Sequence, residues 1–418
     1  MPFFRHRCGV LLCLMALVAA CQPPWRELVS QVPPATALPA PVPTPSAPPV
    51  MGTPPGPVLT IAPLARQEFL VGVGPVGDAD TGLSWQLWQG RAASWRQLSW
   101  PAEAIPRALR ITPAGDVIFA VPLSQAWLGR GQPWGLLRST DGGQSWQQAT
   151  NGLEDPYVMD LVLSPAFETD RTLLALTWYH GVYYSTDLGD HWQALPGRGT
   201  VLPAGGVNAF DLALAVSPDF RGPPGAATGR GLIVASFSHQ LQRWEAQRPG
   251  WRSISMTVAM PFRDFDPPET QLTAGAIAFS PDFANDGVLY LYGGAVGVFR
   301  STDAGKTWHS VRDRLRLPPP QTAKFHLAVA SAEAAYLLLP EVRRWPIAAP
   351  QSSQRPTVTR LYRTRDAGKT WQALTDSPTL GDVSAFALSW DELGRVVLHL
   401  GGSYGGVSSH LADALHWE

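Results

Sequence analysis

Lysine is nearly absent from this chain: Lys306, Lys324 and Lys369 are the only three in 418 residues. Charged residues of all kinds make up 16%, against about 25% in an average soluble domain. The formal net charge is −1, and the other cations are arginines scattered without a basic block. This excludes the charged footprint of a nucleic-acid partner. Cysteine is as scarce, with Cys8, Cys13 and Cys21 alone. After Cys21 no apolar run approaches the roughly 20 residues of a membrane-spanning helix. The nine histidines are dispersed without paired spacing, so no metal constellation stands out. Neither a Gly-x-Ser-x-Gly nucleophile motif nor a phosphate loop occurs. No cofactor is expected.

What is there begins at the N-terminus. Met1–Arg7 is basic and carries no acid, and Cys8–Ala20 is a short apolar run. A run of about a dozen residues does not span roughly 30 Å of hydrocarbon. Together with small residues before a cut, it describes a secretory signal over 1–20. The cut site, Leu17-Val18-Ala19-Ala20-Cys21, resembles the bacterial lipobox. That resemblance implies lipidation of Cys21 and a membrane partner reached through the lipid, on the extracytoplasmic face of the cell membrane. The mature chain then keeps one thiol and forms no internal disulfide. Residues 21–57 are crowded with proline and read as a disordered tether favouring polyproline II. Residues 25–32, Trp-Arg-Glu-Leu-Val-Ser-Gln-Val, depart from that composition.

From 58 to 418 the chain repeats itself. Four octets align without gaps, at Ser139–Trp146, Ser185–Trp192, Ser301–Trp308 and Thr364–Trp371. They share S/T-x-D-x-G-x-x-W. Asp bonds back to nearby amides, Gly accepts positive φ, and Trp opens the next strand, so each octet reads as a hairpin turn. Decayed frames end at Trp95, Trp251 and Trp417, giving seven tryptophans spaced by 46 to 63 residues. A second motif precedes the octets at Ser164-Pro-Ala-Phe167, Ser217-Pro-Asp-Phe220 and Ser280-Pro-Asp-Phe283, each between two apolar runs. One unit is therefore four strands in about 50 residues, which is a propeller blade. The expected architecture is all-β: one propeller of seven four-stranded blades, with six or eight as the alternatives.

The octet resembles the Asp-box, or BNR repeat, of sialidases, sortilin-type receptors, xyloglucan-active glycoside hydrolases and photosystem II stability/assembly factors. The phrase G-V-x-x-S-T-D-x-G-x-x-W at 181–192 and 297–308 is most similar to the last three groups. In these families the box is a turn remote from the active site. The resemblance therefore implies that Asp141, Trp146, Asp187, Trp192, Asp303, Trp308, Asp366 and Trp371 are structural. Sialidases carry an arginine cluster and an F-R-I-P phrase near the start. Here Phe262-Arg-Asp-Phe is mid-chain and lacks Ile-Pro, which counts against sialidase activity.

Function is expected on the opposite face, on the loops between blades and between each blade's second and third strands. These include 154–157, 178–181, 236–239, 262–269, 341–345 and 402–405. Trp178, Tyr179, Arg263, Asp264 and Asp266 are the candidates for ligand contact. Asp155 and Asp264, from loops two blades apart, either face each other as a glycosidase pair or are solvated turn residues or caps. The favoured function is a cell-surface lipoprotein whose propeller is a non-catalytic binding or assembly module for protein or glycan. The alternative is a carbohydrate-active glycoside hydrolase, sialidase-like or xyloglucanase-like. A last expectation concerns the seventh blade. No outer strand for it is evident beyond Trp417, and residues 25–32 resemble the strand that follows each octet, so they either pair there or remain part of a simple tether.

Overall fold

The computed structural model describes residues 54–64, 68–76, 84–91, 94–101, 103–123, 134–195, 212–225, 229–237, 240–254, 275–293, 297–311, 326–341, 358–374, 383–403 and 405–417. Cys21 and the 25–32 segment lie outside these. The described chain forms seven antiparallel sheets in sequence order. Blade one is β1 (Val58–Pro63), β2 (Phe69–Val76), β3 (Ser84–Arg91) and β4 (Ser94–Leu98). Blade two is β5 (Ile105–Ile111), β6 (Ile118–Leu123), β7 (Leu137–Ser139) and β8 (Gln147–Gln148). Blade three is β9 (Val158–Leu163), β10 (Leu173–Thr177), β11 (Gly181–Ser185) and β12 (Gln193–Ala194). Blade four is β13 (Ala213–Val216), β14 (Leu232–Phe237), β15 (Gln240–Glu245) and β16 (Arg248–Ser253). Blade five is β17 (Ala276–Phe279), β18 (Leu289–Tyr292), β19 (Val298–Ser301) and β20 (His309–Ser310). Blade six is β21 (His326–Val329), β22 (Ala335–Glu341), β23 (Val358–Thr364) and β24 (Gln372–Ala373). Blade seven has three described strands, β25 (Val383–Trp390), β26 (Val396–Gly402) and β27 (Val407–Leu411).

The first strands line the ring. Each touches the first strand of the blades on either side, and β1 meets both β5 and β25, so the ring closes between blades seven and one. Second strands are largely apolar, and two are buried at every position, Leu173–Thr177 and Leu289–Tyr292. The core is accordingly a series of seams. Phe119 and Val121 of blade two pack with Leu161, Phe167 and Trp192 of blade three. At the closing seam Val58, Phe69 and Val71 pack with Ala385, and Ser384 Oγ donates to the Val58 carbonyl at 2.7 Å.

The octets are turns between third and fourth strands, as their residues require. In the best-formed one, Ser301 Oγ donates to Asp303 Oδ1 at 2.8 Å and accepts the Gly305 amide at 2.9 Å. Asp303 Oδ1 accepts the amides of Lys306 and Thr307, at 3.0 and 2.8 Å. Its other oxygen accepts the Thr307 hydroxyl at 2.6 Å. Asp141, Asp187 and Asp366 repeat this network. The chain takes positive φ at two successive residues, the glycine and the residue before it. Leu188, Ala304 and Ala367 are held there at 62°, 59° and 62°.

The tryptophans reach the preceding blade. Trp146 Nε1 donates to Ser99 O at 2.7 Å, Trp192 to Ala149 O at 2.8 Å and Trp371 to Val311 O at 2.7 Å. Each acceptor directly follows the outer strand of the blade before. Trp308 differs, donating within its own turn to Gly305 O at 3.1 Å. Third-strand arginines reach the other way. Arg138 Nη1 donates to Leu188 O at 2.8 Å, and Arg363 Nη1 to Ala412 O at 3.2 Å. The decayed frames also hold. Trp95 and Trp251 lie in fourth strands, paired with Gly90 and Trp244, and Trp417 bridges to Leu374 of blade six.

Candidate functional site

The antiparallel meander puts the first-to-second and third-to-fourth turns of every blade on one face, with the octets. The second-to-third and interblade loops share the other. On that second face, the structure brings together two stretches at the rim of blade three: residues 154–157, entering β9, and 178–181, joining β10 to β11.

Asp155 organises them. It is 1% exposed. One carboxylate oxygen accepts the Tyr157 amide at 2.8 Å, and the other accepts the Tyr179 amide at 2.6 Å, tying two loops that are 24 residues apart. Burial raises its pKa, while the two amides and His180 act in the opposite direction. Thr177 closes the β10–β11 turn, its hydroxyl donating to Gly181 O at 3.0 Å and accepting the His180 amide at 3.3 Å. The amide of Trp178 donates to Tyr157 O at 2.9 Å.

Held in this way, three aromatic rings meet at the rim. Tyr157 and Tyr179 make an edge contact at 6.1 Å between centroids, and Tyr179 and Trp178 another at 6.3 Å. All three are half-buried, and Trp178 also packs against the apolar seam between blades three and four. Burial, and then the charge of Asp155, raise the pKa values of both tyrosine hydroxyls, so they stay protonated donors at neutral pH. His180 Nε2 lies 4.0 Å from Glu154 Oε2, beyond hydrogen-bond reach. The cluster offers ring faces, two phenol hydroxyls and an imidazole.

Trp178 and Tyr179 lie in the β10–β11 turn, on the face opposite the octets. Arg263, Asp264 and Asp266 lie outside the described residues. Asp155 is a cap, as one of its two expected roles had it, but buried instead of solvated. Both its oxygens are taken up by loop amides. Tyr157 and His180 were not singled out from the sequence, although both sit in the loops that were. Among the described residues no three His, Cys, Asp or Glu side chains gather as a metal site.

A family model, the BNR/Asp-box repeat, matches residues 299–310, the stretch around the Asp303 turn. The fold is that of an Asp-box β-propeller. Among solved structures this propeller is similar to "YCF48 bound to D1 peptide", at 17% identity and a TM-score of 0.50, over 87% of this chain and 96% of that one. It is also similar to the GH74 enzyme of Niastella koreensis, at 14% identity and a TM-score of 0.53. That match covers 88% of this chain and 54% of the enzyme, so the propeller spans about half the enzyme's length. At these identities the likeness concerns the fold. No curated protein matches the chain in sequence.

Proposed function

We propose that this chain is a lipid-anchored, extracytoplasmic protein whose propeller binds a protein or glycan partner through the blade-three rim and performs no catalysis. The observation that carries the reading is the use made of Asp155. Its carboxylate is spent on two loop amides and is shielded from solvent, so it fixes the position of Tyr157, Trp178 and Tyr179 instead of meeting a substrate. Aromatic side chains positioned in this way supply contact area at low entropic cost and carry polar tips for orientation. The similar YCF48 structure is described as bound to a peptide, which agrees in kind with a binding role on this architecture. The anchor rests on the lipobox-like Val18–Cys21.

Two experiments test the reading. Cys21→Ala is expected to release the protein from membranes or block its maturation; unchanged membrane fractionation would contradict the anchor. Screening the propeller against peptide and glycan arrays, alongside a glycoside hydrolase assay, is expected to give ligands without turnover. Hydrolysis abolished by substitutions in the rim would establish an enzyme instead.

A further inference from the structure

At the rim of blade three one kind of polar group is left over. The phenol hydroxyls of Tyr157 and Tyr179 and the indole N–H of Trp178 make no hydrogen bond among the described residues. The acceptors around them are largely in use. Both oxygens of Asp155 accept loop amides, the Thr177 hydroxyl accepts the His180 amide, and the Tyr157 carbonyl accepts that of Trp178. The two loops therefore present donors, carried on aromatic rings, to a ligand that brings acceptors. The rings also stand at steep angles to one another, Tyr157 turned 81° from Tyr179 and Trp178 turned 62°. Angled walls of this kind suit a ridged surface better than the flat face of a sugar ring. Glu154, its side chain 52% exposed, sets a negative charge on the same loops.

We propose that the occupant of this rim is a proline-rich segment of a protein partner, bound in the polyproline II conformation with a basic residue beside the prolines. The inference rests on the reading of the rim as a binding site and names what fills it. A polyproline II backbone makes no internal hydrogen bonds, and proline has a carbonyl but no N–H. Such a segment brings acceptors and few donors, the complement of what the rim presents. Its pyrrolidine rings lie along ridges that pack against aromatic walls, a known mode of recognition for proline-rich segments. The conformation exists before binding, so little ordering entropy is lost. A glycan differs in bringing a donor with every hydroxyl, to a rim whose own acceptors are largely taken. An arginine or lysine next to the prolines meets Glu154 favourably, whereas an acidic residue there is repelled.

The test titrates a chain beginning at Gln22 with decaproline carrying a pair of arginines at one end. The controls are the same peptide with glutamates in place of the arginines, an arginine-flanked Gly-Ser peptide of equal length, and a xyloglucan heptasaccharide. Calorimetry is expected to show binding of the arginine-flanked decaproline, with both control peptides at least about tenfold weaker. Tyr157→Phe with Tyr179→Phe keeps both rings and removes both hydroxyls, and is expected to weaken that binding about tenfold. Glu154→Gln is expected to reduce the preference for arginine over glutamate. Residues 21–57 are themselves rich in proline, so the titration is repeated with 22–50 deleted, which keeps every described residue. Absence of binding in both forms, equal binding of the proline and Gly-Ser peptides, or unchanged binding in the folded double variant would each overturn the proposal. Binding of the heptasaccharide or the Gly-Ser peptide in preference to decaproline, lost in Tyr179→Ala, would overturn the occupant and leave the rim as the binding site. An array-identified ligand that Tyr179→Ala does not affect would overturn the rim itself.

Discussion

The indole N–H of Trp192 donates to the carbonyl of Ala149 at 2.8 Å, joining the Asp-box of blade three to the end of blade two's outer strand. Trp146 and Trp371 make the same bond to the blade before them. The octet tryptophan is therefore a seam residue as well as part of a turn. Trp192→Phe keeps most of the buried ring and removes the bond. It is expected to lower unfolding stability by about 1–2 kcal/mol, because the Ala149 carbonyl is left without that donor. Trp308→Phe, whose bond lies within its own turn, is expected to cost less. The urea midpoints of the two variants decide this, and equal losses would show that the seam bond adds nothing.

The Asp-box carboxylates make the fold sensitive to acid. Hydrogen bonds from the Thr307 hydroxyl and amide and from Ser301 outweigh desolvation and hold the Asp303 pKa at about 2, below its ordinary 3.8. A depressed carboxylate pKa stabilises the fold above the unfolded value, and the contribution is lost as pH falls from about 3.8 to about 2. Asp303→Ala is expected to cost roughly 1–3 kcal/mol at neutral pH and to flatten the pH dependence of the melting temperature in that window. In the same turn Ala304 is held at φ 59°, so Ala304→Gly is expected to be neutral or to stabilise by up to about 1 kcal/mol. A marked loss on that change would show that the Ala304 methyl contributes packing worth more than its strain.

His399 adds a second acid-sensitive point, at the seam that closes the ring. The residue is 7% exposed, and its ring lies 4.9 Å from that of Phe69 of blade one, tilted by 58°. Its ring nitrogens lie 2.7 and 2.8 Å from the hydroxyls of Ser389 and Ser409. Burial lowers its pKa from 6.5 to about 4. The unfolded chain then binds more protons than the folded one between those values, so stability falls as pH drops from 6.5 to about 4, by up to about 3 kcal/mol. His399→Gln is expected to remove that dependence while leaving stability at pH 7.5 within about 1–2 kcal/mol, because an amide can bond to both hydroxyls. An unchanged pH profile in the variant would place the acid sensitivity elsewhere.

The repeat was legible because its turn chemistry is local. Asp303, Gly305 and Trp308 sit within one octet, and the same spacing recurs. The decayed frames at Trp95 and Trp251 kept only their tryptophans, yet the period located them, since a fourth strand must follow a third. What the sequence did not show are contacts between residues brought together by ring closure. Arg138 meets Leu188 across 50 residues, and Trp192 meets Ala149 across 43; neither spacing has a local signature. Asp155 is the same case within one blade. Its first amide partner, Tyr157, is two residues away, as in any Asx turn, but its second, Tyr179, lies beyond two strands. The positive φ at Leu188, Ala304 and Ala367 was also missed, because the glycine beside each appeared sufficient for the turn.

The proposed function implies a division of labour, in which the Asp-boxes hold the fold and the blade-three rim binds the partner. Binding of an array-identified ligand, measured per folded molecule in Tyr179→Ala and Asp303→Ala alongside their melting temperatures, tests it most directly. The expected result is that Tyr179→Ala weakens binding at least about tenfold, or 1.4 kcal/mol, with the melting temperature within a few degrees, whereas Asp303→Ala lowers the melting temperature and binds normally. Normal binding by Tyr179→Ala, or lost binding by a stably folded Asp303→Ala, would contradict the account.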